Sequence, residues 1–465
     1  MGTSASRSER VENLETTKHA SLPPPGINTP NEVGLRTQRK ISRRLLPFLC
    51  VLYMVAYLDR ANIAFAKLSM SADLGFSEAI YGFGAGIFFI GYLLLEVPGA
   101  LIVERWSARR WFARILVSWG LCTVIVGFIK TPTQFYVSRF LLGVAEAGFY
   151  PGIIVYLTHW FPRKVRAQAL AGFIVAIPVS LVIGAPISAW ILRQNWLEIA
   201  GWRWVFILEG LPAVVLGVVT LFYLTDRPKD AGWLDPEERA WIVRELEIEK
   251  SENGAAAQTT IWKALRNPNV LLCAASIFFA NIGSYVFVFW LPSTIHRVST
   301  LSVALSTLYS AFPFAFALGC VLLSGRMADR SGKGKLLACV WMTLSGLLLM
   351  LSAIPNQPFA LMMTWLCLTA GAVYAWPPPF WVLPTLTFNE SAAAVSIGFI
   401  NMAGVLGAFV GPTLVGYLLS SGYSNGTTTA FLSTCFIAGA VFILGVKVAS
   451  PSVRSSHGLD GVTGN

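Results

Sequence analysis

Twelve apolar stretches recur between residues 45 and 449: 45–66, 80–102, 112–129, 134–158, 167–192, 203–224, 268–291, 302–323, 336–354, 358–382, 392–418 and 429–449. Each is close to the roughly 20 residues a helix needs to cross a hydrocarbon core. Inside a bilayer every backbone N–H and C=O must be satisfied within the protein, which favours helices. An all-α polytopic membrane protein with twelve transmembrane helices is therefore expected. Charged residues make up only 13% of the chain, against about 25% in soluble domains.

The net charge of +11 does not indicate a nucleic-acid partner, because the cations are not spread evenly. Arg36, Arg39, Lys40, Arg43 and Arg44 precede the first run; Arg105, Arg109, Arg110 and Arg114 follow the second. Arg163, Lys164 and Arg166 follow the fourth, and Arg326, Arg330, Lys333 and Lys335 the eighth. The alternate connections hold few: Lys67, Lys130, Arg193, Arg203 and Arg297. By the positive-inside rule both termini are expected in the cytoplasm of a cell whose inner, or plasma, membrane holds the protein. Residues 1–40 read as a disordered cytoplasmic tail without a signal peptide, and 451–465 as a second tail. The seven cysteines stand singly without metal-ligand spacing, so neither a metal nor a cofactor is expected.

The longest internal polar stretch, 225–267, divides six runs (41–224) from six (268–450) and is expected to be a cytoplasmic loop. Asp235-Pro236-Glu237-Glu238 inside it is a helix-start signal, so a surface helix is expected there. The halves echo each other: Glu104-Arg105 follows the second run and Asp329-Arg330 the eighth. Paired repeats of this kind are characteristic of secondary transporters.

These features resemble the major facilitator superfamily. Tyr57-Leu58-Asp59-Arg60-Ala61-Asn62-Ile63, Glu96-Val97-Pro98-Gly99, the run from Arg139 to Gly152 and that from Gly201 to Gly210 are similar to its anion:cation symporter family. The resemblance covers residues 40–450. It implies two six-helix pseudo-symmetric halves, and a gating role for Glu104, Arg105, Asp329 and Arg330. It also implies that helices 2 and 11 meet across the halves, so that Gly82/Gly86 and Gly407/Gly411 form a sliding contact.

Charges inside apolar runs mark function, since each costs at least about 2.5–3.5 kcal/mol to insert. Arg139 and Glu146 stand seven apart on one helical face, with Gly143 between them. Asp59 and Arg60 point about 100° apart and cannot easily satisfy each other. Asp59 is expected to pair with Arg139, leaving Arg60 free as the substrate-carboxylate anchor, a role that suits its planar donor fork. Asp59 and Glu146 are the proton-site candidates, and the resemblance implies both roles. Tyr57 shares Arg60's stripe. Asn281 and Tyr285 fall on one stripe of helix 7, and Trp376 precedes the Pro377-Pro378-Pro379 break. Tyr92 and Asn401 match substrate-site positions of the resembled family. Asn281 and Asn401 each have two readings, substrate hydroxyl or neighbouring helix. Glu96 is expected to be a structural ligand of the basic turns.

No nucleotide loop is present, which argues against direct ATP drive. The function expected is import of a small organic anion with protons by alternating access, in a monomer, with tartrate-like hydroxy acids, sugar acids and aromatic carboxylates as candidate substrates. Efflux of an organic anion or drug is the alternative, and a membrane sensor without transport the second. An enzyme is not expected, because no nucleophile–base or metal constellation occurs.

Overall fold

The computed structural model describes residues 30–163, 165–166, 169–170, 175–253, 266–387 and 390–447. Residues 1–29 of the first tail, the C-terminal tail 451–465, loop residues 254–265, Lys164 and residues 167–168 and 171–174 of the fifth run lie outside the described residues. The first half comprises α1 (Pro30–Leu74), α2 (Glu78–Arg105), α3 (Ala108–Val126), α4 (Pro132–Glu146), α5 (Phe149–Thr158), α6 (Ala176–Ile191) and α7 (Gly201–Tyr223). Next comes α8 (Pro236–Asn253). The second half comprises α9 (Pro268–Arg297), α10 (Val303–Tyr309), α11 (Ala311–Ser331), α12 (Gly334–Ser352), α13 (Phe359–Ala375), α14 (Pro377–Thr387), α15 (Glu390–Ser420) and α16 (Asn425–Gly445).

All twelve apolar runs are helical where described, and three are broken. The fourth breaks between α4 and α5 at Gly148, whose φ of +81° suits glycine. The eighth breaks at Ser310 and the tenth at Trp376, just before three prolines that lack the N–H to continue the ladder. Among the described residues ten helical stretches are long and apolar enough to cross a membrane. The remaining two runs are α3, which opens with Arg109, Arg110 and Arg114, and α6, described over 16 residues.

One expectation needs correction. Part of the tail assigned to residues 1–40 is helical: α1 begins at Pro30 and runs 45 residues, roughly 68 Å at 1.5 Å per residue. Val33, Thr37, Ile41 and Leu45 are all buried at a spacing of four, so this extension has an inward face. That face rests on α8. Gly34 sits against the Trp241 indole, and Glu238, itself buried, takes Arg36 at 3.0 Å and Lys40 at 2.8 Å. The Asp235 N–H donates back to Glu238 at 3.0 Å, closing the start of α8.

The halves meet along α2 and α15, between α6 and α10–α11, and between α1 and α9. Lipid tails give packed helices no hydrophobic drive, so close approach falls to small residues. A Cβ on Gly82 would strike the Pro412 carbonyl and lie 2.9 Å from the Gly416 Cα; one on Gly86 would lie 2.8 Å from the Phe409 carbonyl oxygen. The expected partners Gly407 and Gly411 do not serve this contact. They seat α15 against Phe278 and Ile282 of α9 within the second half, because they lie on the other face of α15. Gly416 takes the place across from Gly82.

Candidate functional site

Helices α1, α2 and α4 bring four ionisable side chains into the interior of the first half. Gly143 and Gly91 make this possible: a Cβ on Gly143 would strike the Phe88 carbonyl, and one on Gly91 the Phe140 carbonyl. α4 therefore lies backbone-to-backbone on α2. It ends at Glu146, where Gly148 passes so near Gly99 that a Cβ would lie 2.6 Å from the Gly99 Cα. A carboxylate at a helix C-terminus faces the negative end of the macrodipole and needs a cation.

Arg60 supplies it. Its Nε and an Nη donate to one oxygen of Glu146 at 2.7 and 2.6 Å. The Arg60 side chain is 14% exposed while that of Glu146 is 1% exposed. Arg60 also lies over three rings, Tyr92 at 5.0 Å, Tyr57 at 5.5 Å and Phe88 at 5.7 Å. The expectation that Arg60 stands free is thus overturned, because α4's break turns Glu146 toward α1.

The expected Asp59–Arg139 pair is overturned too. Asp59 is buried and accepts from the Trp119 indole N–H of α3 and from Asn62 at 3.3 Å. Arg139 is buried with its Cζ 5.0 Å from the Phe88 ring centre, and its Nε and one Nη find no hydrogen-bond partner among the described residues. Phe88 thus lies against both guanidiniums, of which only Arg60's forms an ion pair among the described residues.

Of the other expected site residues, Tyr57 and Tyr285 adjoin each other and Arg60, and Asn401 joins them through Glu96, whereas Asn281 and Trp376 turn to neighbouring helices of the second half. Tyr57 meets Tyr53 at 5.5 Å, which stacks on Tyr150 at 5.6 Å. Tyr285 of α9 reaches across the halves to Phe89 at 4.7 Å. Asn401 donates to Glu96 at 2.6 Å, also between halves. Glu96 is therefore not a ligand of the basic turns: it lies about two turns into the interior from Glu104. Asn281 donates to the Gly404 carbonyl at 3.0 Å, a contact with a neighbouring helix. Trp376 donates to Ser284 at 3.3 Å within the second half. Glu104-Arg105 and Asp329-Arg330 end α2 and α11 on the basic face, remote from Glu146, and their side chains form no ion pair among the described residues. Asp226 ties the first of these turns instead, accepting from Ser107 and the Arg109 N–H, each at 2.8 Å.

At the end opposite the basic turns lies a cluster that sequence reasoning missed. Lys67 is 2% exposed, pairs with Glu78 at 2.9 Å and lies over the Trp290 and Tyr81 rings at 4.4 and 4.8 Å. Trp290 donates to Glu78 at 3.0 Å, Tyr81 to the Phe289 carbonyl at 3.2 Å, and the Ala79 N–H to Ser420 at 2.7 Å. Those three bonds join the halves, so this end is sealed. The signal available was Lys67 and Glu78 flanking the α1–α2 turn. Trp119 gave none, being one indole among 16.

The Major Facilitator Superfamily profile matches residues 49–412. A protein of Agrobacterium vitis named "Putative tartrate transporter" is 39% identical over 422 residues, covering 90% of this chain and 97% of its own. A quinolone resistance transporter of Acinetobacter baumannii is 34% identical, covering 87% and 93%. Among solved structures, the inward-open xylose transporter XylE from E. coli superposes with a TM-score of 0.70 at 17% identity, covering 88% of this chain and 97% of that one.

Proposed function

This chain belongs to the major facilitator superfamily, and on that premise we propose that it imports a small organic carboxylate together with protons by alternating access, with both termini in the cytoplasm. The observation that carries the reading is the Arg60–Glu146 pair. A substrate carboxylate needs the same guanidinium edge that Glu146 occupies. Protonating Glu146 removes its charge and releases that edge, so proton uptake and anion capture become one exchange.

Charge counting supports this. Asp59, Arg60, Arg139 and Glu146 sum to zero when all are ionised. With Glu96 and Glu209, also buried and hydrogen-bonded by Asn401 and Ser188, protonated, one proton on Glu146 leaves one positive charge, which a monoanion neutralises in a site where net charge is expensive. A second proton on Asp59 leaves Arg139 the dominant local cation, ready for a second carboxylate or an electrogenic step. In the electrogenic case each net charge moved inward gains about 2.3 kcal/mol per 100 mV. The aromatic walls of Tyr57 and Tyr92 suit a compact polar acid, and the tartrate name of one relative supports hydroxy acids. The seal at Lys67, Glu78 and Trp290 supports reading this conformation as closed outward, ready for release inward.

The test is uptake into proteoliposomes. An imposed inward proton gradient should drive concentrative accumulation of a labelled hydroxy acid, and collapsing it should leave only equilibration. Undiminished accumulation after collapse would reject proton coupling. A second reading, proton-coupled efflux, is favoured by the quinolone-resistance relative. Inverted vesicles separate the two by the gradient direction that concentrates substrate.

A further inference from the structure

A cleft of about 810 Å³ opens on the basic face, away from Arg60 and Glu146. Its floor is the extension of α1 before the apolar run, and its wall is formed by Tyr223 at the end of α7 and by Trp233. Five cations and three carboxylates line it. The carboxylates do not cancel the cations evenly: Asp235 and Glu238 are engaged with Lys40 and Arg36 at its edge. Arg39, Arg43 and Arg44 pair with no carboxylate among the described residues. Arg39 and Arg43, at i and i+4, share one face of the helix, and Arg44 lies about 100° round from Arg43, so the three line the cleft from two adjoining faces.

Arg44 is the informative member. Its guanidinium is held between Tyr223 at 4.9 Å and Trp233 at 5.0 Å, and its Nε is buried without a hydrogen-bond partner among the described residues. Tyr223 is fixed in turn by its hydroxyl, which donates to the Arg44 carbonyl at 3.0 Å, and by Phe48 at 4.5 Å. The buried Nε cannot reach a ligand, but the Arg44 Nη groups make no hydrogen bond among the described residues, so a guanidinium held by two rings keeps donors for an anion. The cleft also stands where the apolar runs begin and end, at Leu45 and Tyr223, which is the headgroup level of a bilayer.

We propose that this cleft binds the phosphate headgroup of an anionic phospholipid. Its volume lies within the range of roughly 300–1,000 Å³ typical of ligand sites. Basic juxtamembrane residues draw such lipids by about 1 kcal/mol each, or about fivefold in affinity. A lipid held there would tie α1's extension and α8 to the membrane surface.

Native mass spectrometry of the full chain in detergent with equal phosphatidylglycerol and phosphatidylcholine tests this. The parent should retain phosphatidylglycerol preferentially, and Arg39→Gln/Arg43→Gln/Arg44→Gln should lose that retention by about fivefold per charge removed. Arg244→Gln, on the exposed side of α8, should not. Equal retention by the parent and the triple variant overturns the site. A second measurement needs no variant: the parent should melt higher in phosphatidylglycerol than in phosphatidylcholine nanodiscs. Equal melting temperatures, or the same rise from inorganic phosphate alone, overturn the lipid assignment.

Discussion

Arg60 and Glu146 stand 86 residues apart in the chain, yet the Arg60 guanidinium directs two donors at a single oxygen of Glu146, at 2.6 and 2.7 Å. The pair is almost closed to water, so each partner is the condition for burying the other. Removing one charge from such a pair costs about 3–5 kcal/mol when the other is left ionised. Protonation or substrate supplies a way to remove it without that cost.

Glu146→Gln keeps the shape of the carboxyl and fixes it without charge. Substrate counterflow should persist, while accumulation driven by a proton gradient should fall to the level of equilibration. Arg60→Ala should abolish both, and Arg60→Lys should weaken substrate binding by at least about tenfold, because an ammonium lacks the bidentate fork. Full accumulation by Glu146→Gln would remove this residue from the coupling step.

Lys67→Met removes the cation that holds Glu78 beside Trp290. The sealed end should open more often. In a background with the seven cysteines replaced, Thr413→Cys, which sits against Gly86 in the seam between halves, should react with an impermeant maleimide about tenfold faster in the Lys67→Met protein. An unchanged rate would show that the lysine plays no part in the seal.

Gly143→Ala places a methyl group against the Phe88 carbonyl. Overpacking of this kind costs about 1–3 kcal/mol, and it should appear as a lower melting temperature together with weakened substrate binding. Gly319→Ala, where nothing lies within 4 Å, is the matched control and should be neutral or slightly stabilising.

The contact of α8 with the basic end of the first half should loosen in acid. Burial pushes the Glu249 carboxyl up, but the Arg163 N–H at 2.9 Å and the Arg166 guanidinium at 2.7 Å outweigh it and hold it below the usual range. Asp235 is held low by its hydrogen bond from Lys40. A carboxyl with a lowered folded value favours docking above its unfolded value, about 4.3 for glutamate, and loses that contribution as pH falls through the folded value. Hydrogen exchange over residues 236–253 should therefore be flat from about pH 7 to 5, after correction for intrinsic rates, and rise below about pH 4. Glu249→Gln should remove most of the pH step, leaving a faster and flatter profile.

Much of the architecture was legible because a bilayer imposes length and composition on every span. Twelve runs and the alternation of basic turns follow from that solvent alone, and the doubled acidic–Arg pair marks the repeat of one half in the other. The ionisable residues were legible for the same reason: Asp59, Arg60, Arg139 and Glu146 are conspicuous in apolar surroundings. Their pairing was not. Helical spacing relates residues on one helix, and the choice between Arg60 and Arg139 as Glu146's partner depends on how α1 and α4 turn toward each other.

The sequence by itself determined the twelve apolar runs, how they alternate with basic turns, and that Asp59, Arg60, Arg139 and Glu146 had to be buried. Only the tertiary structure decided which of those charges meet. It did so through Gly91 and Gly143, which let α4 lie on α2, and through the break at Gly148, which ends α4 at Glu146 beside Arg60. Long-range contact is set by the rigid-body packing of whole helices, and no local spacing along the chain encodes that.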